Sequence, residues 1–265
     1  MKVGFIGVGN MAKAIITGMV RAGFSGEDIL VHSGHLEHYE GFAKQNQLVI
    51  ETSNAMVAQK ADVVVLAVQP MIAEKVLGEI KDALQSDGKL LASVVSGLDI
   101  AHIQTIIGER PVLRVMPNVN VEIGEGMTGL AASGQLNLNL APFKNGKKVF
   151  ELVGKVMEIS EDDFSTFGAI AGSAPAYAYF FIDALSRAGV KYGLNKQAAT
   201  EIAAQVVNGS AKMVLESDEN PAALIDKVSS PGGTTVAGFL AMEEAGFMTA
   251  VVKGIDATIG KEKEE

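Results

Sequence analysis

Two short stretches at opposite ends of this chain combine residue types and spacings that could do chemistry. Near the carboxyl end, Ser229-Ser230-Pro231-Gly232-Gly233-Thr234-Thr235 runs into Val236, Phe239, Leu240 and Met242 at near-helical spacing. Ser230 is placed to cap that helix and Pro231 to open its first turn, where a missing N–H is no loss. Gly232 and Gly233 each disfavour a helix interior by about 1 kcal/mol, so what they supply is bare backbone. A helix start with free N–H groups and nearby hydroxyls from Ser230, Thr234 and Thr235 suits a small carboxylate or phosphate. The plainer reading is a glycine-rich turn before a helix. At the amino end, Gly7-Val8-Gly9-Asn10-Met11-Ala12 has the G-x-G-x-x-A spacing of a dinucleotide fingerprint. Its first glycine permits the tight turn, its second lets a pyrophosphate reach the backbone, and the alanine allows close packing of helix on strand.

The elements around the second motif are those it requires. Residues 2–8 predict a buried strand, Asn10 to Ala22 a helix with Met11, Ile15, Met19 and Ala22 on one face, and Asp28 to His32 the next strand. That second strand ends in His32-Ser33-Gly34-His35, without the carboxylate that usually takes a ribose 2′-hydroxyl. A 2′-phosphate could be accepted by Ser33, the Gly34 backbone and His35, so the expected cofactor is NADPH, with NADH as the alternative. No arginine is present there to clamp the phosphate. Neither a strand nor a helix brings His32, His35 and His38 to one face, so no metal is expected.

The α/β pattern continues. Asp62 to Val68, Leu90 to Val95 and Pro111 to Met116 read as buried strands, with a helix over Ile72 to Leu84. Ligands in parallel sheets lie beyond the carboxyl ends of strands, which makes Ala67-Val68-Gln69-Pro70, Val95-Ser96-Gly97 and Met116-Pro117-Asn118 the expected walls of a cofactor cleft. Asn118 could offer its amide to the nicotinamide or the substrate, or serve only as a turn residue after proline. Further strands are expected at Gly126 to Ala132 and Val156 to Ile159, around a helix at Ala141 to Val153. From Glu161 the text is helical: Glu161 to Gly189, Lys196 to Ser217, Pro221 to Val228, the helix opened by Ser230, and Thr249 to Ile259. The expected architecture is α/β, with a Rossmann-type dinucleotide-binding domain over 1–160 followed by an all-helical substrate-binding and dimerisation domain over 161–265. Small residues at close spacing in the second part suggest helices packed across a dimer.

Composition narrows the function. With 265 residues there is length for two cores, and a formal charge of −9 argues against nucleic acid or an anionic membrane surface as partner. The absence of cysteine excludes disulfides and thiolate chemistry and fits a reducing compartment. Glycines interrupt the amino-terminal apolar run where a signal peptide needs continuity, so a cytoplasmic, unprocessed chain is expected. Phe164 to Ile182 has no charged residue, but Gly168, Gly172, Ser173 and Pro175 dilute it and Asp183 and Arg187 follow, so no membrane span is expected.

A hydride-carrier fingerprint together with an acid-binding turn implies a redox enzyme for a small acid. The helical part offers no evident proton donor, which an alcohol or ketone substrate needs and an imine that arrives protonated does not. At Phe5 to Met11, Arg114-Val115-Met116-Pro117-Asn118, Gly172-Ser173-Ala174-Pro175-Ala176-Tyr177 and Ser229 to Thr235, the chain resembles the pyrroline-5-carboxylate reductases over nearly its whole length. The resemblance implies NAD(P)H-dependent reduction of 1-pyrroline-5-carboxylate to L-proline, the last step of proline biosynthesis, in interlocked homodimers often assembled into decamers. It implies cofactor contacts from Ile6, Gly7, Val8, Gly9, Asn10, Met11, Ser33, Asn54, Ala67, Val68, Gln69 and Pro70. The substrate carboxylate is implied on Ser230, Gly233 and Thr234, with Glu161 near the site and Thr235, the catalytic residue, holding the ring nitrogen. Gln69 stands where many relatives carry lysine, Val119-Asn120 where they carry Thr-Pro, and Ala174 where they carry glycine. Two other readings are a 3-hydroxyacid dehydrogenase of similar plan, using one of Lys191, Lys196, Lys212 or Lys227, and a non-catalytic NADP(H)-sensing oligomer.

Overall fold

A computed structural model describes residues 1–134 and 141–262. The chain forms two compact units, Met1–Gly172 and Ser173–Glu265. The first unit runs β1 (Val3–Ile6), α1 (Asn10–Arg21), β2 (Ile29–His32), α2 (Glu40–Gln45), β3 (Val49–Ile50), α3 (Asn54–Lys60), β4 (Val63–Leu66), α4 (Pro70–Ile80), β5 (Leu90–Ser93), α5 (Ile100–Ile107), β6 (Val112–Met116), β7 (Gly126–Ala132), α6 (Ala141–Glu151), β8 (Gly154–Glu158) and α7 (Phe164–Phe167). The second unit holds α8 (Ala174–Lys191), α9 (Lys196–Glu216), α10 (Pro221–Val228), α11 (Thr234–Glu244) and α12 (Phe247–Glu262).

The strands make one eight-stranded sheet in the order β3-β2-β1-β4-β5-β6-β7-β8. It is parallel from β3 to β6, while β7 runs antiparallel to β6 and pairs in parallel with β8. Alternation along each strand feeds two cores. Val3, Phe5, Val31, Val65 and Leu113 pack with Ile15, Ile16 and Met19 of α1 and Phe150 of α6 on one face; Ile6, Leu30, Val64, Leu66 and Leu91 pack with Val57, Leu77, Ile80 and Ile103 on the other. Gly4 permits one of these layers, since a Cβ there would come within 2.5 Å of Val57 Cγ1. The strand order reverses between β1 and β4, which opens a crevice at the carboxyl ends of both.

The run from Glu161 is not the single helix its composition predicts. A 3₁₀ turn at Glu161–Asp163 and the short α7 lead into a π-helical stretch, Gly168–Ser173, before α8 begins. Gly168 lies so close to Met116 that a Cβ would come within 2.8 Å of its Sδ. The first compact unit ends within this π-helical stretch, at Gly172.

In the second unit, α8 and α9 form a hairpin fastened by Lys196, whose amine reaches Asp183 and the Ser186 hydroxyl, each at 2.7 Å. The Tyr177 hydroxyl bonds Thr258 of α12, and the rings of Phe181 and Phe247 lie 5.8 Å apart. Only Ser186, Ala199 and Ala203 are buried among its described residues, whereas Phe180 is 75% and Met248 70% exposed. Among the described residues no single helix is long and apolar enough to cross a membrane; α11 and α12, bent by 47°, pass only as a pair, by length and composition.

Candidate active site

In the first unit the expected cofactor residues converge on the carboxyl ends of the parallel strands. Ile6 closes β1, Gly7, Val8 and Gly9 form the loop, and Asn10 and Met11 open α1. Gly7 has φ +91° and donates to His32 O at 2.9 Å; a Cβ there would lie 2.4 Å from Ala67 O, so no other residue fits. Gly9 is different, because a Cβ at that position would meet nothing within 4 Å. That bare position is the N-cap of α1, which has no side-chain cap and no acidic residue in its first turn. Its free N–H groups and positive dipole end suit a pyrophosphate, so these residues fit the dinucleotide their sequence suggests.

Two cavities flank this loop. The first, of about 330 Å³, is lined by Gly7, Ser33, Asn54, Val68, Lys75 and Glu79 among others. Asn54 opens α3, whose cap is Ser53, and Asn54 Nδ2 donates to Glu79 Oε2 at 2.8 Å. Beside it, His32 Nδ1 meets the Glu51 carbonyl at 3.0 Å. Ala67, Val68, Gln69 and Pro70 connect β4 to α4, with Gln69 as N-cap and Pro70 in the first turn. The second cavity, about 190 Å³, is lined by Met11, Val95, Ser96, Met116, Pro117 and Phe164 among others, with Gly97 at φ +70° just past β5. Ile6 and Val95 are buried, so only their backbones are on offer there.

Asn118 and Glu161 are placed as braces. Asn118 is 5% exposed, its Oδ1 accepts from Met127 N at 3.3 Å, and its Nδ2 donates to Ala171 O at 2.9 Å. Each end of its amide thus makes one bond within the protein, which fixes its orientation at the tip of β6. Glu161 Oε1 accepts from Arg114 Nη1 at 3.0 Å and from Ile100 N at 3.1 Å. The Arg114 guanidinium in turn lies 4.4 Å from the Phe164 ring centroid and lines the smaller cavity.

In the second unit the Ser229 to Thr235 stretch is a turn that ends in a helix, one step later than the sequence suggests. Gly233 is the N-cap and α11 begins at Thr234, so Ser230 does not cap and Pro231 lies outside the helix. The turn closes through Gly233 N, which donates to Ser230 O at 2.9 Å, with Gly232 in the left-handed region at φ +69°. A Cβ on Gly233 would lie 2.5 Å from Ser230 Oγ. No side chain caps α11 and no acidic residue lies in its first turn, so its N–H groups stay free beside the exposed hydroxyls of Ser230, Thr234 and Thr235. That arrangement can hold a small carboxylate. Of the lysines a hydroxyacid dehydrogenase could use, Lys196 is paired with Asp183 at 2.7 Å and Lys227 with Glu219 at 2.6 Å.

Sequence reasoning missed Lys75, Glu79 and Phe164 as lining residues. The first two follow the glycine loop by more than two elements, and only the packing of α4 beside α3 brings them to Ser33 and Asn54.

Residues 161–265 match the family model described as pyrroline-5-carboxylate reductase dimerisation, and residues 2–97 that described as NADP oxidoreductase, coenzyme F420-dependent. The chain is 36% identical over 264 residues to the pyrroline-5-carboxylate reductase of Escherichia coli, covering 98% of this chain and 96% of that one. It is 32% identical over 265 residues to the Synechocystis pyrroline-5-carboxylate reductase, covering 100% and 98%. A solved Plasmodium falciparum pyrroline carboxylate reductase with NADP bound is similar at a TM-score of 0.87 and 33% identity, covering 100% of this chain and 97% of that one.

Proposed function

The chain belongs to the pyrroline-5-carboxylate reductase family, and from that membership we propose that it reduces 1-pyrroline-5-carboxylate to L-proline, the last step of proline biosynthesis. The observation that carries the proposal is the uncapped start of α11, where Thr234 and Thr235 offer free N–H groups and hydroxyls to a small acid and Gly233, without a side chain, leaves the approach open. Ser230, Gly233 and Thr234 bind the substrate carboxylate, and the Thr235 hydroxyl accepts from the ring N–H of the protonated imine.

The first unit holds the dinucleotide. Gly7, Val8, Gly9, Asn10 and Met11 receive the pyrophosphate at the start of α1; Ser33 and Asn54 meet the adenosine end; Ala67 to Pro70 and Val95 to Gly97 form the walls. Reduced nicotinamide supplies a hydride when bound, with NADPH the proposed donor and NADH the alternative. A substrate that arrives as the iminium ion becomes the neutral secondary amine on gaining hydride at carbon, so the protein has no further proton to deliver. This accounts for a site whose side chains are hydroxyls and amides rather than acids or bases. Asn118 and Glu161 serve it as supports of the cleft wall.

The matched dimerisation model and the exposed apolar side chains of the helical unit support self-association; the proposed form is a homodimer, with a decamer as its proposed further assembly. A chain without cysteine suits a reducing compartment, and the proposed location is the cytoplasm. Loss of reduced-nicotinamide absorbance on adding 1-pyrroline-5-carboxylate, with proline as the recovered product, tests the proposal. Dinucleotide binding without any turnover of that substrate contradicts it.

A further inference from the structure

The cleft beyond β2 contains a lysine with no partner among the described residues. Its polar lining comprises Ser33, Gly34, Asn54, Lys75 and Glu79, with His32 at its edge. Lys75 and Glu79 are one helical turn apart on α4, a spacing at which opposite charges commonly pair. Here they do not: Glu79 accepts from Asn54 at 2.8 Å, and Lys75 Nζ has neither an ion pair nor a hydrogen bond among the described residues. The order lysine then glutamate is also the weaker one for such a pair. The Ser33 hydroxyl has no partner among the described residues either, and a Cβ on Gly34 would meet nothing within 4 Å. The tip of β2 carries no carboxylate to receive a ribose 2′-hydroxyl. On a chain of formal charge −9, a local cation favours the binding of a doubly charged phosphate.

We infer that Lys75 on α4 selects a dinucleotide phosphorylated at the adenosine 2′ position, and that the Asn54–Glu79 hydrogen bond keeps the cleft's carboxylate from neutralising it. The inference rests on the proposed dinucleotide role of this unit and deepens it to one cofactor class. The cation comes from the helix after β4, whereas the usual acidic or basic selector sits at the end of β2. Ser33 and the Gly34 backbone complete the phosphate's surroundings as neutral donors.

The test is calorimetric titration of the full-length protein with NADP⁺, NAD⁺ and adenosine 2′,5′-bisphosphate at low and high salt, without substrate. Lys75 is exposed on its helix, so Lys75→Ala is tolerated by the fold. This variant binds NADP⁺ and the bisphosphate about ten- to a hundredfold more weakly, with NAD⁺ changed by no more than about twofold, and loses part of the salt dependence. Lys75→Arg retains most of the affinity for NADP⁺. Asn54→Ala, which releases Glu79, weakens NADP⁺ more than NAD⁺. Equal loss for both dinucleotides in Lys75→Ala, no loss for either, or equal affinity of the unsubstituted protein for both overturns the inference and leaves the reductase reading standing. Binding of neither dinucleotide by the unsubstituted protein overturns both.

Discussion

Arg114 and Glu161 meet at 3.0 Å, and the same carboxylate oxygen accepts from the Ile100 amide at 3.1 Å. One acidic side chain thus ties the middle of β6 to the start of α5 and, through the guanidinium on its ring, to Phe164. The side chains are 14% and 29% exposed, so the pair is partly shielded and its loss is felt more than that of a surface pair. Glu161→Ala, which leaves Arg114 without its counter-ion, costs about 1–3 kcal/mol of stability; Glu161→Gln, which keeps an acceptor, costs less. Thermal melts give the totals. Hydrogen exchange at the Ile100 amide rises in the alanine variant and gives the local readout.

The two glycines of the first loop separate folding from binding. Gly7→Ala forces a side chain to φ +91° and to within 2.4 Å of Ala67 O, and the first unit loses stability by several kcal/mol. Gly9→Ala meets open space, so its melting temperature stays close to that of the unsubstituted protein while dinucleotide affinity falls at least about tenfold. Melting curves and calorimetric titration on the two variants check this; equal effects on both quantities in both variants contradict it.

Gly233→Ala places a methyl 2.5 Å from Ser230 Oγ and 2.9 Å from Ser230 O, inside the turn that opens α11. The expected result is a KM for the acid raised about tenfold or more, with the dissociation constant for the dinucleotide unchanged. Steady-state kinetics beside dinucleotide titration distinguish this from a global loss of structure.

Much of this was legible in the sequence because it is local. The strands β1, β2, β4, β5 and β6 and the helix α1 show their period within a few residues, and the α1 motif needs only its own spacing. The two-residue β3 is too short to show any period, and neither α2 nor the helical nature of residues 54–60 was visible. Composition does not report hydrogen-bond register, so the π-helical stretch at Gly168–Ser173 read as ordinary helix. Ser230 carried the composition of a cap, but the left-handed Gly232 turns the chain once more and passes that place to Gly233. Asn118 and Lys75 have roles set by what packs beside them, which no spacing encodes.

The helical hairpin has an acid-labile fastening. Lys196 first and Arg187 second, both hydrogen-bonded to Asp183, hold its carboxyl below the ordinary aspartate range. A depressed folded value means the stabilisation is complete above the unfolded value of about 3.9 and is lost as pH falls through the lower folded one. Protection against hydrogen exchange around Lys196, taken relative to the intrinsic amide rate at each pH, therefore falls below about pH 4 in the unsubstituted protein, whereas Asp183→Asn shows the lower protection already at neutral pH. Because the Asp183 side chain is 40% exposed, the effect is confined to the hairpin and leaves the melting temperature nearly unchanged.

Thr235 bears the central claim, since its hydroxyl is assigned to the reacting nitrogen and to nothing else. The decisive measurement is kcat for Thr235→Ala and Thr235→Ser with 1-pyrroline-5-carboxylate and NADPH, both saturating, followed by nicotinamide absorbance. The expected outcome is a fall of about ten- to a hundredfold in the alanine variant, substantial recovery in the serine variant, and unaltered dinucleotide affinity in both. Turnover by Thr235→Ala equal to that of the unsubstituted protein contradicts the assignment.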